Sequence, residues 1–160
     1  MIAGTDRELK MLEKASAEFA RKELAPVRQQ NDSYPFAPFF EGILKKAYDL
    51  DFFHVTLPEP CNGMGQGMTA LCVILYNISV EDSSLGGIIF TNAAAQELLI
   101  AAEAEDFLIS ITKAPDRVYD GLIAAPIFNN PIDIANTADV VRQNGGYTIC
   151  GRVEYVAAGN

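Results

Sequence analysis

The stretch Thr69-Ala70-Leu71-Cys72-Val73-Ile74-Leu75-Tyr76-Asn77-Ile78-Ser79 decides the fold. Its centre, residues 71–76, is apolar on every side of a helical wheel, and such a helix belongs between other helices. It is expected to be the core helix, with Cys72, Ile74 and Leu75 deeply buried. Behind it, Asp82, Ser83 and Ser84 are helix-capping residue types, and Leu85, Ile88, Ile89 and Leu99 follow at helical spacing. The spacing predicts a further helix packed on the core helix, with Ile88 and Ile89 buried. Upstream, Thr5 followed by Glu8 forms a capping box, and Leu9, Leu12, Ala15 and Phe19 mark one face of a long amphipathic helix. Pro26 interrupts that helix. The Tyr34-Pro35-Phe36-Ala37-Pro38 turn then leads into another, whose apolar face is Phe40, Ile43, Leu44 and Ala47 and which closes over residues 49–53. Four main helices are therefore expected ahead of residue 117.

After Pro115 the texture changes to short, β-branched runs at 121–125, 139–142, 146–150 and 154–157, and Asn144-Gly145 is a strong hairpin signal. The fold class is α+β: a mainly helical bundle over residues 1–117, then an incomplete small antiparallel β-domain over 118–160. No internal repeat or low-complexity segment interrupts this division.

Composition narrows the function. With 160 residues, 49% of them hydrophobic, the chain can bury a single core and a small appendage. The net charge of −9 and a pI near 4.5 argue against nucleic acid, whose phosphates demand a basic face. Lys and Arg are absent from 47 to 112, while Asp49, Asp51, Glu59, Glu81, Asp82, Glu97, Glu103, Glu105 and Asp106 all lie there. Such a segment is a poor host for a polyphosphate. Cys61, Cys72 and Cys150 are odd in number and far apart, which suggests neither a disulfide framework nor a metal site and fits a reducing compartment. No stretch reaches the ~18 uncharged apolar residues of a membrane span, and no secretory signal opens the chain. A soluble, cytoplasmic protein is expected.

Several motifs invite a chemical reading and fail it. The Asn62-Gly63-Met64-Gly65-Gln66-Gly67 loop imitates a phosphate cradle, but Met68 stands where the last glycine would be and no strand precedes it. It reads as a plain loop between helices. His54, the sole histidine, sits among Phe52, Phe53 and Val55 and reads as a packed helix end rather than a catalytic base. Glu81-Asp82 and Glu103-Ala104-Glu105-Asp106 could couple as acid and base, yet charge runs at helix ends are far more often solvated. No residue is assigned as catalytic or metal-ligating.

The runs Glu18-Phe19-Ala20-Arg21-Lys22-Glu23-Leu24-Ala25-Pro26, Val55-Thr56-Leu57-Pro58-Glu59 and Tyr147-Thr148-Ile149-Cys150-Gly151 together resemble the first part of an acyl-CoA dehydrogenase. The resemblance implies a helical N-terminal domain over 1–117 and the beginning of the family's middle β-domain over 118–160. It also implies the family reaction, FAD-dependent α,β-dehydrogenation of acyl-CoA thioesters, in which a glutamate removes the α-proton while the β-hydrogen leaves as hydride. In the family that glutamate and much of the flavin grip come from a C-terminal helical domain and a neighbouring subunit, so Asn160 is expected to fall inside the β-domain of a truncated or split enzyme.

Two flavin-contacting stretches of the family map onto this chain with changes. Where the family has a Thr-Glu-Pro turn and a small-residue loop, this chain has Gly121-Leu122-Ile123-Ala124-Ala125-Pro126-Ile127-Phe128-Asn129-Asn130-Pro131. Ala124 stands at the threonine position and Asn130 at a serine position, where it alone retains hydrogen-bonding atoms; Phe128 and Asn129 replace small residues, and Pro131 removes an amide donor. The second stretch, Trp-Ile-Thr-Asn in the family, corresponds to a run containing Tyr155 and Ala157: Tyr155 keeps an aromatic face and Ala157 lacks the hydroxyl. Two lost hydroxyls typically cost about 1 kcal/mol each. The resemblance thus implies FAD as the family cofactor and no flavin binding by this chain alone. It further implies a homo-oligomer or a partner chain supplying the rest of the dehydrogenase, acyl-CoA binding only once assembled, and, as the alternative, a noncatalytic structural or interaction subunit of a heteromeric complex.

Overall fold

The computed structural model describes residues 6–31, 39–113, 117–126, 132, 138–153 and 156. Helix α1 spans Asp6–Phe19, the single turn α2 Arg28–Asn31, α3 Phe39–Asp49, α4 Met68–Ser79, α5 Ser83–Ala101 and α6 Glu105–Thr112; strands β1, Ala138–Gln143, and β2, Gly146–Gly151, follow. The architecture is α+β, as the sequence implies. Thr5 and the 34–38 turn lie outside the described residues.

Each helix has a local cause. α1 buries Leu12, Ser16 and Phe19 along one stripe, and it widens into a π-helical turn over Ala20–Leu24, where Ala25 N–H reaches back to Ala20 O. Pro26 lies just beyond: its ring would collide with the carbonyl four residues back, and the wider turn avoids that contact. α3 ends in a Schellman arrangement, with Phe52 N–H on Ala47 O at 3.2 Å, Asp51 N–H on Tyr48 O at 2.9 Å, and Asp51 in the left-handed region at φ 58°. The Asp82 side chain caps α5, accepting from Leu85 N–H at 2.9 Å. α5 closes like α3, with Glu103 at φ 56° and Ala104 N–H on Leu99 O at 2.9 Å.

The main core lies where α1, α3, α4 and α5 meet: Leu24, Leu44, Phe52, Phe53, Ile74, Ile78, Leu85 and Ile89 are all buried there. Each such side chain is worth about 1.5–3 kcal/mol of burial. A smaller cluster of Leu57, Cys61 and Leu108 sits under α6. Ser16 and Asn77 stitch α1 to α4: Asn77 Nδ2 donates to Ser16 Oγ at 2.8 Å, and Ser16 Oγ donates to Leu12 O at 2.8 Å. α5 begins so close to the end of α4 that a Cβ on Gly86 would lie 2.0 Å from Ser79 Oγ.

Three expectations need correction. First, α4 is not enclosed. Ile74 and Ile89 are fully buried, but Leu75 and Ile88 are only partly so, and Cys72 is exposed beside Met68, Tyr76 and Val80. α1 and α5 flank α4, and its apolar circumference exceeds what these neighbours cover. Second, a further helix, α6, follows the four, because Glu105 and Asp106 open it rather than merely ending α5. Third, residues 121–125 do not form a strand: Val118–Gly121 is a 3-10 turn, and the chain then runs extended to a lone bridge residue at Ala125. Leu122 and Ile123 pack there against the two helical clusters.

The hairpin is as its sequence implies. β1 and β2 pair antiparallel, Val140 opposite Ile149 and Gln143 opposite Gly146, around Asn144 and Gly145 at φ 50° and 81°. Positive φ at both turn residues is the type I′ geometry that Asn-Gly favours. Every residue of both strands is half-exposed or exposed. The expected strand at 154–157 lies outside the described residues except for Val156.

Candidate functional site

The segment 51–67 is held by a dense set of backbone hydrogen bonds. His54 lies at its start, 3% exposed. Its ring stands edge-on to Tyr48 at 4.7 Å, and Nδ1 is 3.8 Å from Asp51 Oδ1, while Nε2 has no protein partner among the described residues. Burial lowers the His54 pKa below its ordinary value against the opposing pull of Asp51, so the ring is neutral at pH 7. The same burial, with Asp51 nearby, raises the Tyr48 phenol. His54 is a packed residue, as its apolar neighbours in the sequence imply.

The glycine-containing loop is equally committed. Asn62 N–H donates to Glu59 O, Gly63 to Pro58 O, Met64 to His54 O, Gly65 to Leu57 O and Gln66 to Val55 O, at 2.8–3.2 Å. Five consecutive amides that a phosphate would need already point at carbonyls. Gly63 has a steric reason to be glycine, since a Cβ there would lie 2.1 Å from Leu57 O. Asn62 Nδ2 donates to Thr112 Oγ1 at 3.1 Å, and Thr112 Oγ1 to Leu108 O at 2.8 Å, tying the loop to α6. Cys61 is buried beneath it, its thiol pKa raised first by burial and then by Glu105.

The carboxylate pairs do structural tasks. Glu81 faces Arg28 at 3.6 Å, Asp82 caps α5, and Glu103, Glu105 and Asp106 are exposed. Arg28 also donates to the carbonyls of Val80 and Glu81 at the end of α4. Lys22, Lys45, Lys46 and Arg117 are paired with Glu18, Asp49, Glu23 and Asp120.

The polar residues that sequence reasoning missed are on α5. Asn92 and Gln96, one turn apart and each 1% exposed, both donate to Phe53 O, at 3.0 and 3.1 Å. Asn92 Oδ1 also accepts from Ile123 N–H at 2.9 Å. A helical pattern of amides inside an otherwise apolar helix was the available signal. α5 is long and apolar enough to cross a membrane by length and composition, yet these amides and its packing against α4 and α6 suit a core helix.

Of the four flavin-related positions only Ala124 is described; Asn130, Tyr155 and Ala157 lie outside the described residues. Ala124 is exposed, one residue past the Ile123 tether.

A helical bundle thus leads through the Asn92-tethered segment 122–125 to the hairpin. Residues 6–106 match the model of the acyl-CoA dehydrogenase N-terminal domain, and the chain belongs to the acyl-CoA dehydrogenase family.

Proposed function

We propose that this chain is the helical module of an acyl-CoA dehydrogenase assembly, with residues 118–160 as the start of its β-domain. The family reaction, removal of the α-proton and β-hydride of an acyl-CoA thioester by a glutamate and FAD, then depends on groups outside these residues, and the chain alone is inactive. The observation that carries this reading is the surface of α4 and α5. From Pro60 to Val80 there is no acidic or basic side chain, and α5 carries only Glu97. Even so, Tyr76 is 73%, Met68 55% and Leu98 64% exposed. Two helices without a polar face are stable next to more protein, not next to water. The exposed hairpin supports the same conclusion, since two strands without a covered face are marginal in isolation.

The remaining walls come from a second copy of the chain or from a partner carrying the rest of the dehydrogenase, in the cytoplasm. Acyl-CoA binds only in that assembly, because no Lys or Arg lies from 47 to 112 and Lys22, Arg28, Lys45 and Lys46 are engaged in ion pairs. A second reading, a noncatalytic interaction subunit of a heteromeric complex, draws on Ala124, which lacks the hydroxyl of the family pattern. The test is turnover: the purified chain with added FAD, a series of acyl-CoA thioesters and an electron-accepting dye should give no dye reduction. Sustained, thioester-dependent reduction would overturn the proposal.

A further inference from the structure

We infer that Asn92 is a positioning residue that sets the register of the extended segment 122–125 on the helical bundle. Its side chain uses both ends. Nδ2 donates to Phe53 O at 3.0 Å, and Oδ1 accepts from Ile123 N–H at 2.9 Å. The amide orientation follows from the partners, because a carbonyl accepts only a donor and an N–H gives only to an acceptor. A buried side chain of this length with one donor end and one acceptor end is met by asparagine; aspartate lacks the donor and leucine lacks both.

The consequence lies in the neighbours of Ile123. Leu122 packs against the main core and Ile123 against the smaller cluster under α6, so the segment runs along the seam between them. A slide of one residue would move Leu122 into the place of Ile123, or Ile123 into the place of Leu122, and leave Gly121 or Ala124 in the vacated apolar site, so the register of the segment matters to both clusters. Asn92 opposes the slide by offering one acceptor at one height on α5. Gln96 secures the other partner, donating to Phe53 O at 3.1 Å, so that loss of Asn92 releases Ile123 while the 51–57 segment stays held. The residue after the pin is Ala124, and for the reading of the chain as a dehydrogenase module the pin aims the start of the family's flavin-approaching stretch. The pin itself does not depend on that reading.

Amide hydrogen exchange on the full chain tests it, with three variants. In Asn92→Leu the Ile123 amide should exchange at least tenfold faster relative to the slowest α4 amides. Gln96→Leu should leave the Ile123 amide as in the unaltered protein, and Asn92→Asp, which keeps the acceptor, should restore its protection relative to the leucine variant. If Asn92→Leu does not fold, Asn92→Ser carries the same expectation of acceleration. Unchanged Ile123 exchange on loss of Asn92, or equal acceleration by Gln96→Leu, would overturn the inference. No flavin or thioester enters the experiment, so its outcome is independent of the turnover test.

Discussion

Replacing His54 with leucine should flatten the pH dependence of stability between pH 7 and 5.5. His54 is the sole histidine of the chain, so this window isolates it from other imidazoles. In the folded protein, burial keeps its pKa below the ordinary value, while the unfolded chain takes up the proton near pH 6.5. Below that pH the unfolded state binds more protons than the folded one. The contribution of the neutral ring is therefore complete above about pH 6.5 and is lost as pH falls toward the folded-state pKa. The limiting slope for one proton is about 1.4 kcal/mol per pH unit. Asp51, 3.8 Å from Nδ1 but well exposed, softens the effect without reversing it, and Tyr48 stays neutral throughout. With a urea dependence of ~2 kcal/mol per molar, the midpoint should fall by up to about 0.7 M per pH unit in the unaltered protein. Urea titrations at pH 7.0, 6.5, 6.0 and 5.5, followed by far-ultraviolet circular dichroism, measure it. Equal slopes for the two proteins would refute the reasoning, whatever their absolute stabilities.

Other outcomes follow from single contacts. Gly63→Ala drives a methyl group into the Leu57 backbone and should cost about 1–3 kcal/mol or more in chemical denaturation, whereas Gly67→Ala, with open space at its Cβ, should cost far less. Asp82→Ala removes the cap of α5 and should lower stability by ~1 kcal/mol in the same assay. A thiol reagent should modify Cys72 and Cys150 quickly and Cys61 only on unfolding, because Cys61 is buried with its pKa raised. In a verified monomer the amides of 147–150 should exchange much faster than those of 71–76; equal protection would show that the hairpin needs no cover.

The helical part was legible because its signals are local. Asp82 caps the helix it was expected to cap, Asn144-Gly145 makes the hairpin it was expected to make, and Ile74 and Ile89 are in the core. What failed was the step from composition to burial. Cys72 is as apolar as Ile74 but faces outward, because only tertiary contacts decide which side of an apolar helix is covered. Residues 121–124 have strand-like side chains, yet the Ile123 amide is held by the Asn92 side chain, which no periodicity encodes. The anchoring amides Asn92 and Gln96 went unread because a buried polar residue announces itself only once its partner, here Phe53 O, is known. The glycine-containing loop reads as a loop in the backbone too: the amides of 62–66 are turned toward the carbonyls of 54–59.

On the proposed reading this chain is a dehydrogenase module that does not hold FAD by itself. The most direct measurement is the visible absorption of the purified chain after incubation with excess FAD and gel filtration. A colourless protein peak with all flavin in the small-molecule fractions is expected. Flavin absorption travelling with the protein in stoichiometric amount would contradict it.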